Sequence, residues 1–173
     1  ILSKGEEMGM ILTASPGFRC RRIEAGLLSA GRDFTRDRSP FAVGLGKFID
    51  FNKGDFIGRD YLLNSSKDCL TWGMRVENNF ALVDSEISIN NKKVGIVTSS
   101  TWSPFQVCGV AIVHMDNAEF GPGTIVDVSC DDGSVQKGEI CTLPMYDEKG
   151  EIQRGLKENI PSSPMPWKGI SKN

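Results

Sequence analysis

The chain has 173 residues, of which 20 are basic and 22 acidic, so its formal net charge is −2. A hydrophobic fraction of 39% and a charged fraction of 24% are ordinary for a globular protein, and they exclude a disordered, collagen-like or coiled-coil chain. The longest apolar run that includes glycine, residues 107–113, has seven residues. A membrane-spanning helix needs about 20.

Arginine is concentrated in the first quarter of the chain. The residues are Arg19, Arg21, Arg22, Arg32, Arg36 and Arg38. Acidic residues lie among them, and we interpret the cluster as a solvated helix and loop face. A nucleic-acid partner is not expected, because such proteins carry a basic stripe and a basic net charge. No basic segment followed by an apolar segment opens the sequence, so no signal peptide is visible, and we expect neither a membrane partner nor export from the cytoplasm.

Residues 1–13 predict the end of a helix, because apolar residues recur there at helical spacing. The sequence starts inside this pattern and without methionine, from which we expect a piece of a longer protein. Residues 14–17, with the sequence Ala-Ser-Pro-Gly, predict a break, since proline fixes φ and glycine permits positive φ.

Residues 18–28 predict a short amphipathic helix that Gly31 ends, with Arg22 and Glu24 beside its apolar face. Gly26 is unfavourable inside a helix by about 1 kcal/mol relative to alanine. We therefore interpret Gly26 as a place where a backbone or a ligand approaches closely.

A polar loop leads to a strand-like segment at 48–51 and a short helix at 58–64. The polar residues 65–68 predict a domain boundary, because the pattern changes from Cys69 onward.

Six short strands are predicted after this boundary. They are 70–76, 85–89, 94–99, 107–113, 125–130 and 136–143. Asn90-Asn91 and Asp132-Gly133 are typical of tight hairpin turns. Six strands with no helix-length segment predict a small antiparallel barrel or sandwich. The tail after Tyr146 is rich in proline, so it either wraps over the body with Trp167 as its anchor or is mobile.

The residues by themselves show little catalytic chemistry. The five cysteines form no C-x-x-C motif and are interpreted as free buried thiols, and no metal site is expected. His114 ends a strand-like run and is interpreted as a structural residue rather than a base. The segment 98–105 combines small polar residues with Trp102 and Phe105. It is interpreted either as a long hairpin loop that closes the barrel end or as the lining of a ligand cavity.

Several stretches resemble one family, in one order and with family-like spacing. They are RRIEAGLLSAGRDF (21–34), SPFAVGLGKFIDFNKGDFIGRDYL (39–62), KKVGIVTSSTWSPF (92–105), GVAIVHMD (109–116), PGTIVDV (122–128) and CTLPMY (141–146). Together they resemble the C-terminal half of the glycine-cleavage T-protein family. Its members are tetrahydrofolate-dependent aminomethyltransferases and demethylases.

The resemblance implies an α+β fragment with three parts. Residues 1–68 would be the helical and linker end of a folate-binding domain, residues 69–146 a six-stranded antiparallel Greek-key β-barrel, and residues 147–173 a Pro-rich tail. The missing N-terminal half of the same protein would complete a central folate channel.

The resemblance also implies the site residues. Arg22, the arginine of the R-[LI]-E-[AS]-G motif, would bind tetrahydrofolate near its glutamyl end, and a guanidinium suits a carboxylate. Glu24 would either contact the cofactor or orient an arginine. Trp102 and Phe105 are candidates for lining the channel. No catalytic residue is expected in this chain, because the aspartate near the reactive folate nitrogen lies in the missing half.

Two departures from the family pattern bear on function. Ala30 stands where the family usually has tyrosine, and Ala42 stands where it commonly has glutamate. We therefore keep three hypotheses. The first is a one-carbon transferase that acts on a small methylated or aminomethyl donor, free or carried on a partner protein, and that is active only as the full-length protein. The second is a non-catalytic folate-binding or assembly module. The third is a barrel fragment that by itself binds tetrahydrofolate weakly or not at all.

Overall fold

The structure is a computed structural model that describes residues 1–152, 154–159 and 161–170. The first part of the chain is helical and irregular. It holds α1 (Leu2–Glu6), α2 (Ser15–Glu24), a single 3₁₀ turn (Gly46–Phe48) and α3 (Arg59–Asn64). Among the residues just given, no helix is both long enough and apolar enough to cross a membrane.

The second part is all β-structure. Its strands are β1 (Thr71–Val76), β2 (Glu86–Ile89), β3 (Lys92–Ser103), β4 (Cys108–Met115), β5 (Ile125–Ser129) and β6 (Val135–Cys141). They form a closed barrel in the order β1-β4-β3-β2-β5-β6, and every pair is antiparallel. The consecutive strands β2, β3 and β4 are neighbours, and β1 pairs with β4 instead of with β2. This arrangement is Greek-key connectivity. The predicted six-stranded antiparallel barrel is confirmed.

Helix α2 differs at both ends from the predicted helix 18–28. It begins at Ser15, with Pro16 in its first turn, where the missing N–H has no helical partner to lose. It ends at Glu24, because Gly26 adopts φ of +68°. A Cβ added at Gly26 would lie 2.9 Å from the Cβ of Leu143, so the predicted close approach at this glycine is confirmed.

Two further predictions outside the barrel have different outcomes. The helix predicted at 58–64 is confirmed as α3. The strand predicted at 48–51 is wrong, since this segment follows a 3₁₀ turn and has no neighbouring strand to pair with among the described residues. The ring of Phe51 lies 6.4 Å from that of Phe41 in a stacked arrangement, so aromatic packing holds this segment instead.

Strand β3 is longer than predicted, because it continues through the polar segment 98–103. The hairpin-loop interpretation of that segment is therefore wrong as far as Ser103. Polar residues are tolerated here because Thr98, Ser99 and Ser103 bind buried carboxylates of the first part of the chain. The turn between β2 and β3 follows the prediction, with positive φ at both Asn90 and Asn91.

The barrel has apolar packing on two sides of β4. Ala111, Val113 and Met115 belong to the core cluster inside the barrel, whereas Val110 and Ile112 belong to a second cluster beneath α2. Because side chains alternate along a strand, burial of both faces explains why the β4 sequence is an almost continuous apolar run. Ile23 of α2 is fully buried in the second cluster, so this helix is part of the barrel's packing.

The Pro-rich tail lies against the body over its described residues. The amides of Met165 and Trp167 donate to the carbonyls of Phe105 (2.8 Å) and Gln106 (2.7 Å). In an extended chain the amides of alternate residues point to the same side. The intervening residues, Pro164 and Pro166, have no N–H group, so no donor on the opposite side is left without a partner. Trp167 packs against the second cluster. Of the two alternatives for the tail, the structure shows the one in which Trp167 anchors it.

We predict that Trp167→Ala lowers the free energy of unfolding by about 2 kcal/mol, less than for a fully buried tryptophan because Trp167 is only partly buried. The matched control is Met165→Ala, which removes an exposed side chain from the same segment and keeps the backbone hydrogen bond. Urea denaturation measures both variants. Equal losses of stability would contradict an anchoring role for Trp167.

A second prediction concerns His114, the single histidine. Burial lowers its pKa to about 4, aided by the positive charge of Arg38 and opposed by Asp116, and its Nδ1 lies 3.1 Å from Oγ1 of Thr71. The neutral ring is therefore favoured in the fold. Its contribution to stability, on the order of 2 kcal/mol, is complete above pH 6.5 and is lost as the pH falls from 6.5 towards 4.

An NMR titration of the one imidazole Hε1 signal measures this pKa directly. We expect a midpoint near 4, and a His114→Gln variant should lose less stability than the parent between pH 6.5 and 4. A midpoint at the ordinary value of about 6.5 would show that the ring is solvated.

Candidate functional site

A buried carboxylate connects the segment after α2 to the barrel. Asp33 is 0% exposed and accepts four hydrogen bonds. The donors are the amide of Ser29 (2.7 Å), Nη1 of Arg22 (2.7 Å), Oγ1 of Thr98 (2.7 Å) and Oγ of Ser99 (2.6 Å). A buried charge costs several kcal/mol unless it is paired and hydrogen-bonded. Asp33 meets both conditions and therefore fixes the position of Arg22 relative to β3.

The guanidinium of Arg22 is held on three sides. Nη1 donates to Asp33 and to the carbonyl of Leu27 (3.2 Å), and Nη2 donates to Oγ of Ser99 (2.7 Å). A guanidinium carries five N–H groups, so two of them have no acceptor among the described residues. The side chain is 21% exposed. Arg22 thus has donors left for a ligand, but its charge is already balanced by Asp33.

Glu24, on the same helix, faces the barrel and not the solvent. It is 0% exposed, and its Oε1 accepts a hydrogen bond from Oγ of Ser103. Its Oε2 lies 3.5 Å from Nη1 of Arg21 and has no hydrogen bond among the described residues. These contacts favour the orienting role that the sequence left open for Glu24, and its contact with a cofactor stays a prediction.

Aromatic residues gather beside Arg21 on the other side of α2. The ring of Phe105 lies 5.0 Å from that of Tyr146, and Cζ of Arg21 lies 5.6 Å from the centre of the Phe105 ring. Nη1 of Arg21 also donates to the Tyr146 hydroxyl at 3.3 Å. Trp102 is placed elsewhere, on β3 opposite Gly109. The structure therefore brings Phe105, but not Trp102, next to an arginine of α2.

Three cavities surround this helix. The arginine cavity, about 220 Å³, is lined by Arg19, Arg22, Ser29, Arg32, Ser99 and Ser100, together with Val83. The aromatic cleft, about 490 Å³, includes Phe18, Arg21, Arg22, Leu27 and Tyr146 in its lining. The apolar cavity, about 610 Å³, lies between the end of α2, the linker and β1, and includes Leu28, Phe34, Val43 and Trp72. Arg22 borders two of the three, and neither Trp102 nor Phe105 lines any of them.

The cysteines are poorly suited to nucleophilic chemistry. Burial raises the pKa of Cys20 to about 11, of Cys108 to about 12 and of Cys141 to about 11. They are therefore protonated at neutral pH, and a thiol is a weak nucleophile compared with a thiolate. Within the described ranges, no group of three or more histidine, cysteine or acidic side chains is arranged to hold a metal ion.

Sequence reasoning missed Asp33 as the centre of the site. The signal that could have found it is the run Thr98-Ser99-Ser100, which directly follows the apolar residues Ile96 and Val97 of β3 and is buried like Val97. Polar side chains at buried strand positions require a polar partner from another segment. Arg19 and Arg32 are interpreted from the sequence as part of a solvated face, and the structure places them in the same cavity as Arg22.

The fold and the site together define a class of protein domain. This class is a Greek-key barrel with an arginine-bearing helix packed against strands β3 and β4. Residues 71–147 match the model of the glycine cleavage T-protein C-terminal barrel domain. This part of the chain is therefore a barrel domain of the glycine-cleavage T-protein family, and the chain as a whole is similar to the C-terminal part of that family's members.

Individual relatives agree with this assignment. The chain is 31% identical to an aminomethyltransferase of Oceanobacillus iheyensis over 84% of this chain and 40% of the relative. It is 33% identical to a dimethylsulfoniopropionate demethylase of Ruegeria pomeroyi over 65% of this chain and 32% of the relative. The solved aminomethyltransferase T of the Bartonella henselae glycine cleavage system matches 73% of this chain and 37% of its own, with a TM-score of 0.62 and 24% identity, which supports the fold. The chain thus spans about two fifths of the length of the first of these relatives.

We predict that Asp33→Asn lowers the free energy of unfolding by about 3 kcal/mol, because it leaves Arg22 without its counter-charge in a largely buried position. The matched control is Asp37→Asn, an exposed carboxylate in the same loop whose side chain accepts one long hydrogen bond from Thr35 (3.3 Å). Chemical denaturation measures both. A loss at Asp33 no larger than that at Asp37 would show that the carboxylate is not the centre of this network.

Proposed function

We propose that this chain is the C-terminal part of a tetrahydrofolate-dependent one-carbon transferase, which moves a methyl or aminomethyl-derived group onto the cofactor. The observation that carries the proposal is the placement of Arg22. It lies at the junction of helix and barrel, borders two cavities and retains two N–H donors. Family membership supports the same reaction class, since the relatives are named as an aminomethyltransferase and a demethylase.

The residues present fit the anionic end of tetrahydrofolate. A glutamyl carboxylate needs aligned N–H donors, which Arg22 offers, and a polar cavity, which the serines and arginines around it provide. When bound, tetrahydrofolate supplies a nitrogen that accepts the one-carbon unit. Arg22 would hold the carboxylate while Asp33 fixes the orientation of the guanidinium, so the contribution of this chain is positioning.

The proposal divides the site between this chain and the rest of the full-length protein. We assign residues 1–68 to the folate-binding domain and the catalytic polar group to the N-terminal part. Exposed apolar side chains in residues 1–68 support this assignment, because another part of the full-length protein would cover them. They include Ile11, Leu12, Phe18, Phe48 and Ile57. The donor is proposed to be a small methylated or aminomethyl compound, free or carried on a partner protein, in the cytoplasm.

A second function, a folate-binding or assembly module without turnover, is favoured by a specific observation. Ala30 and Ala42 remove an aromatic ring and a carboxylate that the family resemblance places near the channel. In the structure the amide of Ala42 donates to Oγ of Ser39 (3.2 Å), and the carbonyl of Ala42 accepts from the amide of Leu70 (2.9 Å).

The deciding experiment incubates the full-length protein with tetrahydrofolate and each donor class and identifies the folate product by mass spectrometry. Methylene-tetrahydrofolate indicates an aminomethyl donor, and methyl-tetrahydrofolate indicates a methyl donor. Binding of tetrahydrofolate without product from any donor would favour the non-catalytic module. Absence of both binding and product would overturn the folate assignment.

We predict that Arg22→Lys in the full-length protein weakens tetrahydrofolate binding about tenfold, because an ammonium cannot hold Asp33 and a ligand carboxylate in the same fixed geometry. Arg21→Lys is the control, since Arg21 borders the aromatic cleft but not the arginine cavity. Calorimetry measures binding, and denaturation measures whether the variant remains folded. The 173-residue chain alone is expected to bind weakly or not at all, and tight binding by it would contradict the shared channel.

A further inference from the structure

The arginine cavity carries positive charge that the residues described by the structure do not neutralise. Asp33 balances Arg22 through a 2.7 Å ion pair. Arg19 and Arg32 line the same cavity, and neither forms an ion pair with a described residue. No acidic side chain of the described residues lines the cavity. Two cationic groups therefore converge on one polar space without a counter-charge.

The local backbone explains how the arginines meet. Arg19 and Arg22 are three residues apart on α2, so their side chains lie on the same helix face. Arg32 comes from the loop after the helix, where Gly31 adopts φ of +81°, a conformation that favours glycine. Asp33, the next residue, anchors this loop to β3, and its four hydrogen bonds fix the position of the Arg32 backbone.

The remaining charges near the cavity do not cancel this excess. Burial lowers the pKa of Arg38, and the neighbouring carboxylates of Asp33 and Asp37 oppose that shift. Arg38 therefore belongs to the electrostatic surroundings of Asp33, although it does not line the cavity. Glu24 is buried against Ser103 and lies outside the lining.

The size and polarity of the cavity define the ligand class. Its volume of about 220 Å³ admits a tetrahedral or planar oxyanion together with several waters of about 30 Å³ each. The serine hydroxyls of its wall can donate hydrogen bonds to oxygen acceptors, and guanidinium groups bind carboxylates and phosphates through paired N–H donors.

We propose that Arg19 and Arg32, with Arg22 as a fixed hydrogen-bond donor between α2 and the barrel, form a binding site for a carboxylate or phosphate group of an anionic small molecule. The charge that attracts the anion comes from Arg19 and Arg32, because the charge of Arg22 is already balanced. The cavity is the one in which the proposed function places the glutamyl carboxylate of tetrahydrofolate, and the inference deepens that proposal by naming the residues that supply the charge. The site itself stands on the geometry of this chain, so its binding of simple anions is tested separately from folate.

The test is titration calorimetry of the 173-residue chain with two probes, inorganic phosphate and glutarate, at low ionic strength, where attraction between exposed charges is least screened. We expect saturable millimolar binding of at least one probe. The double variant Arg19→Gln and Arg32→Gln should weaken that binding about tenfold or more, since each loses a charge-assisted hydrogen bond.

Arg36→Gln is the matched control, because Arg36 is an exposed arginine of the same loop that does not line the cavity. It should change binding less than twofold. Tighter binding of phosphate than of glutarate would identify a phosphate-bearing ligand, and the reverse order would identify a carboxylate. Each of these results supports the site.

Two results would overturn the proposal. The first is that neither probe binds at millimolar concentration. The second is that Arg36→Gln weakens binding as much as the double variant does, which would indicate attraction to general surface charge. The folate assignment is tested separately. If the full-length protein does not bind tetrahydrofolate while this chain still binds phosphate or glutarate, the proposed function alone is contradicted.

Discussion

The ion pair between Asp33 and Arg22 is the constraint on which the rest of the site depends. Asp33 is fully buried, and its carboxylate reaches α2 through Arg22 and the barrel through Thr98 and Ser99. Ser99 is 66 positions from Asp33 and 77 positions from Arg22 in the chain. Since a buried charge tolerates only a complete set of partners, the network allows one relative arrangement of helix and barrel. The cavities on both sides of α2 follow from that arrangement.

Helix α2 has two roles: it packs against the barrel, and it presents arginines to the cavities around it. Ile23 and Glu24 face the barrel, where Ile23 completes an apolar cluster and Glu24 accepts a hydrogen bond from Ser103. Arg19 and Arg21 are exposed and border different cavities. The tail adds support from outside, because Trp167 packs on the same apolar cluster and its amide binds the carbonyl of Gln106.

The family resemblance predicted Arg22 as a ligand-binding residue, and the structure adds a physical qualification. An arginine that already holds a buried carboxylate contributes direction more than net charge, whereas exposed arginines without acidic partners contribute the charge. Arg19 and Arg32 meet the second description.

The sequence by itself determined the barrel. Alternating apolar residues and hairpin signals such as Asn90-Asn91 act locally, so six strands could be recognised in order, and the composition excluded membrane-spanning and fibrous classes. Only the tertiary structure decided that the polar segment after Val97 is strand, that α2 ends before Gly26, and that Asp33 lies at the centre of the site. Each of these features depends on a contact with a residue distant in the sequence. Thr98 and Ser99 of β3 donate hydrogen bonds to Asp33, and Gly26 lies against Leu143. Burial and pairing of polar groups are properties of the packed chain, which local pattern cannot specify.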